Sequence, residues 1–319
     1  MSATAAPLPG SSRAGAPSAA ADTSAEGRAT TAAETAAPRR RRRRPSARAW
    51  RVLVLAVGAV VFLFPFLAMV GGSLQVAPDP TLTGLVPTPG EATLANYGAI
   101  DGAISLGTGL LNSGIFAGLV ILGTVVLGTL AGYALAQLEF RGRGALFGLA
   151  LLVQVVPFQL LLVPLYILVA RDYGLADTRL GVALPFLVNS TAVIIFRQYF
   201  LQLPQDVFEA ARIDGASELR VLRSVALPLV RPALLTVVLV TFIGPWNEFL
   251  WPFLVTKELD QQPLAVSLSN FITTLAGQVA NPTGAILAGA CVLAAPAVGL
   301  FLLFQRRFTS SDIGSSVKG

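Results

Sequence analysis

Apolar positions recur along this 319-residue chain in runs too long for the core of a soluble domain. About 20 such residues, rising about 1.5 Å each in a helix, cross the ~30 Å of bilayer hydrocarbon. The pattern predicts six spans, at residues 52–74, 107–137, 145–169, 179–201, 232–255 and 283–305. The fold class expected is therefore all-α, a polytopic membrane protein of about six transmembrane helices. The second run carries Gly107, Gly109, Gly114, Gly118, Gly123, Gly128 and Gly132. Small residues at these spacings let helix backbones approach closely in lipid, which predicts a place inside the bundle. Pro65, Pro157, Pro164, Pro185, Pro245, Pro252 and Pro296 fall within runs and predict kinks rather than ends, because neighbouring helices can satisfy the freed carbonyls.

Composition agrees with the pattern. Hydrophobic residues make up 54% and charged residues 13%, against about 25% charged in an ordinary soluble domain, and mean hydropathy is +0.69. Without any His, and with Cys291 as the single cysteine, the chain can form no Ser-His-Asp triad, no Cys-His dyad, no His-ligated or Cys-rich metal site and no disulfide framework. No catalytic residue, metal or cofactor is expected. The net charge is +6, and nine Arg against three acidic residues in the first fifty positions account for it.

Residues 1–50 read as a disordered Arg-rich tail, because the Ala, Thr, Ser, Pro and Gly of positions 1–38 cannot bury enough surface to offset the entropy of ordering. The run Arg39 to Arg44, followed by Arg48 and Arg51, suits a topogenic flank better than a nucleic-acid surface, since positive charge beside a first span holds it on the cytoplasmic side. Residues 51–306 form the membrane domain and 307–319 a second cytoplasmic tail. With both termini inside, all but Arg171, Arg179 and Lys257 of the 23 Lys and Arg fall on the cytoplasmic side. The expected location is the cell membrane, multi-pass.

The segment 203–231, LPQDVFEAARIDGASELRVLRSVALPLVR, is too polar to span and too patterned for a loose loop. Pro204, Gln205 and Asp206 suit a helix start, and Gly215 suits a left-handed turn. A second amphipathic stretch follows over 216–226, with Leu219, Leu222 and Val225 near one face and Pro228 at its end. Ala210 and Ala211 leave a face without bulk, with Glu209 and Arg212 at its rim. Asp214 also fits as a cap of the second helix.

Glu209-Ala210-Ala211, three residues, Gly215, nine residues and then Val225-Ala226-Leu227-Pro228 resemble the EAA loop of the membrane-spanning subunits of ABC importers. Together with Pro232, Trp246-Asn247-Glu248-Phe249 and Val317-Lys318-Gly319, the chain resembles the carbohydrate-uptake permeases, in particular the shorter member of the maltose-type pair. The likeness runs from about Val52 to Gly319; Val225 stands where the family often has Ile, and the Arg-rich tail has no counterpart in it. The resemblance implies a cytoplasmic coupling helix that docks on an ATP-binding subunit through Glu209, Ala210, Ala211, Asp214, Gly215, Leu227 and Pro228. It also implies partners: two ATP-binding cassette subunits, a second permease and an external solute-binding protein. Since the chain has no GxxxxGK[ST] phosphate loop, it is expected not to be an enzyme, and ATP hydrolysis falls to a partner. The turn Arg141-Gly142-Arg143-Gly144 reads as topology-fixing.

Polar residues within spans are candidates for a cargo path. Asn189, Trp246, Asn247 and Glu248 are the strongest, since a carboxylate in the bilayer must face protein or water, and Gly244-Pro245 could open the helix beside a ring able to stack on a sugar. Asn112, Gln154 and Gln159 are expected to serve interhelical hydrogen bonding instead. The function expected is ATP-driven import of a sugar or oligosaccharide; an ion-coupled carrier of a small polar solute is the alternative, for which Glu248 and the span prolines give footing.

Overall fold

The computed structural model describes residues 45–78, 87 and 90–311. The predicted run Arg39 to Arg44 and the terminal Val317-Lys318-Gly319 lie outside these. The chain divides into two units, 1–54 and 55–319. Of the first, the described part is the opening of helix α1 (Pro45–Ser73), whose Trp50, Val52, Leu53 and Val54 are exposed.

In the second unit α1 continues and is followed by α2 (Ala95–Ile104), α3 (Leu106–Gln137), α4 (Arg143–Val155) and α5 (Phe158–Tyr166), which runs into a π-helical turn, Ile167–Asp172. Next come α6 (Arg179–Ala183), α7 (Ser190–Leu201), α8 (Gln205–Ile213), α9 (Glu218–Val221), α10 (Leu227–Leu229), α11 (Arg231–Asn247), α12 (Leu250–Val255), α13 (Leu264–Asn270) and α14 (Pro282–Ser311). Among the described residues there is no strand, only an isolated antiparallel bridge between Gln75 and Ala92. The chain is an all-α polytopic membrane protein.

Helices α1, α3 and α14 are each long and apolar enough to cross a membrane, and three bent pairs bring the total to as many as six. The bends exceed what the sequence predicts. Pro157 ends a helix rather than kinking it: Val156 before it is extended, as a residue preceding proline prefers, and α4 and α5 meet at 95°. The segment 179–201 is divided by the turn after Pro185, with a 50° bend. The predicted span 232–255 breaks at Glu248, between α11 and α12. A third bend, of 81°, separates Glu218–Leu229 from α11, so α9 and α10 run across the direction of the span that follows. Pro228, expected to end the amphipathic stretch, instead sits in the first turn of α10, and the break falls at Val230.

Helix α3 is the interior one. In its most apolar stretch 33% of residues are buried, against 0% in α1 and 11% in α14, and it packs along α7 and α11 with α6 and α13 beside it. Its glycines divide by surroundings. A methyl group at Gly132 would lie 2.6 Å from Phe196 Cβ and 3.0 Å from the Arg197 amide nitrogen; at Gly123 it would lie 2.7 Å from Leu187, at Gly109 3.1 Å from Leu264 and at Gly128, the loosest of the four, 3.3 Å from Ala192. Gly107, Gly114 and Gly118 face open space, so only four of the seven serve close approach. At the end of α1, Asn96 donates to Ser73 O (2.9 Å) and Gln75 O (2.8 Å), and Asn281 to Gln75 O (3.0 Å) and Val76 O (2.8 Å), which ties α1 to α2 and α14.

The Gly132 contact sets an expectation. Gly132→Ala should destabilise the folded chain by about 1–3 kcal/mol through overpacking, read as a lower unfolding temperature in detergent, whereas Gly118→Ala should match or exceed the parent.

Candidate functional site

The segment after α7 folds on itself. Helix α8 starts after Pro204, with Asp206 in its first turn and Arg212 in its last, charges matched to the helix dipole. It ends on Gly215 at φ +78°, a left-handed conformation that L side chains rarely adopt. The Gly215 amide donates to Arg212 O and the Ala216 amide to Ala211 O, both at 3.0 Å, the paired bonds of a Schellman ending. Phe208 is fully buried and faces Tyr133 of α3, ring centroids 6.4 Å apart. Around it lie Phe196, Phe200, Val221, Leu222, Ala226 and Val230. The buried face of the second stretch is thus Val221, Leu222 and Ala226; Leu219, expected on it, is exposed, and Val225 is half-buried against the core within the π-helical turn Leu222–Ala226.

The opposite face of α8 is bare. Asp206, Glu209 and Ile213 share a stripe, i, i+3 and i+7, and all are exposed, Ile213 at 86%. Glu209, Ala210, Asp214 and Gly215 are exposed, whereas Ala211 and Leu227 are half-buried against the core and Pro228 is exposed in the bend. Among the described residues Asp206, Glu209 and Asp214 make no side-chain hydrogen bond. Asp214 is not the cap of the second helix, since Ser217 holds the position before α9. Ile213 escaped the sequence reading, although its spacing from Asp206 and Glu209 marks it.

Arg212, expected at the rim beside Glu209, turns inward. Its Nε donates to Glu218 Oε1 at 2.8 Å and its Nη2 to Glu218 Oε2 and Gln137 O at 3.4 Å. Tyr133 donates to Glu218 Oε2 at 2.6 Å. The Arg212 guanidinium, aided by the Tyr133 bond and opposed by burial, holds the Glu218 carboxyl below its ordinary 4.5. A depressed carboxyl pKa contributes stability above the unfolded value and loses it only as pH falls through the folded one, so the pair stays ionised around neutrality. Two further guanidiniums converge there. Arg143 donates to Leu135 O (2.8 Å), Ala136 O (3.0 Å) and Leu138 O (3.3 Å), and Arg197 to Leu135 O (3.3 Å) while lying 3.9 Å above the Phe147 ring. The Arg141–Gly144 turn is therefore more than a topology signal: Arg143 caps α3.

The cargo-path candidates are spread over α7, α11 and α12. Asn189 caps α7, accepting from the Ala192 amide at 3.2 Å, and lines a small cleft with Thr191 and Thr241. Trp246 is 5% exposed; it stacks on Phe242 (5.2 Å) and donates to Leu293 O of α14 (2.9 Å), so its ring offers no open face. Asn247 is exposed and donates to Ile243 O. Glu248 Oε1 accepts from the Leu250 and Trp251 amides, starting α12. Gly244 and Pro245 do not open α11, which runs on to Asn247; the break at Glu248 does that instead. Asn112 donates to the loop carbonyls of Asp260 (2.7 Å) and Gln262 (3.2 Å). Gln154 and Gln159 stay exposed, with Gln154 accepting from Thr191 at 3.4 Å.

Residues 124–309, from the middle of α3 to the end of α14, match the family described as binding-protein-dependent transport system inner membrane components. The chain belongs to this family. Like its other members it is a membrane-spanning permease subunit of an ABC transport system, and the matched region contains the whole of the α8–α10 segment. A trehalose transport permease, SugB of Mycobacterium tuberculosis, is 34% identical over 276 residues, covering 86% of this chain and 98% of that one. An arabinooligosaccharide transport permease, AraQ of Halalkalibacterium halodurans, is 32% identical over 282 residues, covering 87% and 99%. The sn-glycerol-3-phosphate permease UgpE of Agrobacterium fabrum is 29% identical over 272 residues, covering 83% and 95%. In fold, the chain superposes with a TM-score of 0.73 at 23% identity on a chain of a bacterial ABC transporter for import of the acidic polysaccharide alginate, covering 83% of this chain and 98% of that one.

For this permease the enclosed Trp246 ring sets a second expectation. Trp246→Phe keeps the stack on Phe242 but loses the bond to Leu293, which should cost about 1 kcal/mol of stability and leave the uptake KM unchanged. A shifted KM with unaltered thermal stability would place the ring on the cargo path.

Proposed function

We propose that this permease subunit imports a sugar or oligosaccharide, delivered by an external binding protein, and that its α8 face docks an ATP-binding subunit that does the hydrolysis. The observation that carries the reading is the bare face of α8: an apolar side chain 86% exposed, Ile213, among the unpartnered carboxylates Asp206, Glu209 and Asp214. On the water-facing side of a membrane domain no lipid covers such a residue, and a hydrophobic knob within an acidic rim fits a groove with an apolar floor and basic edges. Phe208 anchors α8 in the core and the Gly215 turn sets its orientation, so the bare face is held out toward that partner.

In this reading the α8 end of the bundle is cytoplasmic, as are both termini, and the complex comprises two ATP-binding subunits, this chain and a second permease. The trehalose, arabinooligosaccharide and glycerol phosphate relatives support a carbohydrate or related polyol as cargo. Asn189, Asn247 and Glu248 are the cargo-path residues of this chain, with Trp246 holding α11 against α14 behind them.

Gly215→Val tests the docking. A β-branched residue at φ +78° is strained by about 1–3 kcal/mol, which should distort the turn and weaken docking roughly ten-fold or more. The variant should reach wild-type membrane abundance, yet retain less of the ATP-binding subunit on purification. In proteoliposomes its ATP-dependent uptake of labelled oligosaccharide should fall in proportion. Wild-type retention, ATP hydrolysis and uptake would refute the docking role, and uptake without ATP would favour an ion-coupled carrier.

A further inference from the structure

Docking explains the outward face of α8 but not its inward one. The residues that a partner would touch, Asp206, Glu209 and Ile213, lie on one side; Arg212 lies on the other and grips Glu218 in a two-bond clasp. Glu218 accepts at the same time from the Tyr133 hydroxyl of α3, and Arg212 also reaches the carbonyl of Gln137 at the last turn of α3. The clasp therefore joins three segments, α8, α9 and the end of α3. The side chains of the pair are 33% and 43% exposed, and ion pairs so open to water contribute little to stability. Position, rather than stability, is what this pair supplies.

We infer that Arg212 and Glu218 are positioning residues that transmit displacement of α8 to helix α3, an inference that rests on the docking proposed above. The path onward is stiff. From its clasped end α3 runs 32 residues, pressed against Phe196 at Gly132, Leu187 at Gly123 and Leu264 at Gly109, so neighbouring backbones leave it little room to yield. At its far end Asn112 holds the carbonyls of Asp260 and Gln262. A shift imposed at α8 through the clasp would thus reach the opposite side of the bundle as a movement of α3, whereas without the clasp α8 would be held to the domain by the packing of Phe208 and its neighbours and by the long bond from Arg212 to Gln137 O.

The test uses the co-purified complex in proteoliposomes and reads two quantities on one preparation: the ATP-binding subunit retained per permease, and cargo moved per ATP hydrolysed. Glu218→Gln removes the charge and keeps the shape. It should retain the partner at wild-type stoichiometry and move at least five-fold less cargo per ATP, with Glu218→Asp recovering most of the loss. Tyr133→Phe, which removes one hydroxyl and guards against a folding defect in the first variant, should give a smaller loss in the same ratio. Unchanged cargo per ATP with the partner retained would overturn the positioning role and leave docking standing. Loss of the partner in Glu218→Gln would also overturn it, by making the pair part of the docking surface. Ile213→Asp reports on docking separately: wild-type partner retention in that variant would refute the docking reading itself.

Discussion

A helix that crosses a bilayer ends with four carbonyls that no further turn can satisfy, and in this chain the end of α3 is where that constraint is met. The carbonyls of Leu135, Ala136, Gln137 and Leu138 each accept from a guanidinium. The three arginines come from the start of α4, the middle of α7 and the last turn of α8. An unmet buried carbonyl costs about 1–3 kcal/mol, and positive charge at a helix C-terminus is favoured further by the dipole. Because the donors sit on separate elements, capping α3 also fixes where α4, α7 and α8 stand. The α8 segment is thus located by the need to complete another helix.

Close packing along α3 carries that position through the domain. Glycine at four points lets α7, α13 and the chain before α7 approach the helix axis, and in lipid such contact replaces the hydrophobic force that would act in water. The bends serve a different end. At Pro157 and Glu248 the backbone leaves the helix within a span, and at Glu248 the side chain itself accepts from the next two helical amides. Irregular backbone at that depth is tolerated where protein or a water-lined path surrounds it, which agrees with a transport domain.

Much of this is legible in the sequence, because span length, glycine spacing and the left-handed turn at Gly215 are local properties. The inside position of α3 follows from its glycines, and the helix-turn-helix from Pro204, Gly215 and the polar pattern around them. What is not legible depends on tertiary placement, whether the partner is near in the chain, as Glu218 is to Arg212, or far from it, as Tyr133 is. Arg212 reads as a rim charge until Tyr133 and Glu218 are beside it; Arg143 reads as a topology signal until the end of α3 is above it. Trp246 next to Gly244-Pro245 suggests an open ring, but Leu293, 47 residues on, encloses it. Ile213 differs: its exposure follows from the α8 periodicity, and the alanine pair beside it draws attention away from it.

The most direct test of the account is contact at Ile213. With Cys291→Ala removing the one native thiol, Ile213→Cys places a single reactive group at the centre of the bare α8 face. In native membranes holding the whole complex, a short bifunctional reagent should join this position to the ATP-binding subunit, and the yield should change when ATP and cargo-loaded binding protein are added. Absence of any such product, with the complex intact and the thiol fully open to a small water-soluble reagent, would contradict it.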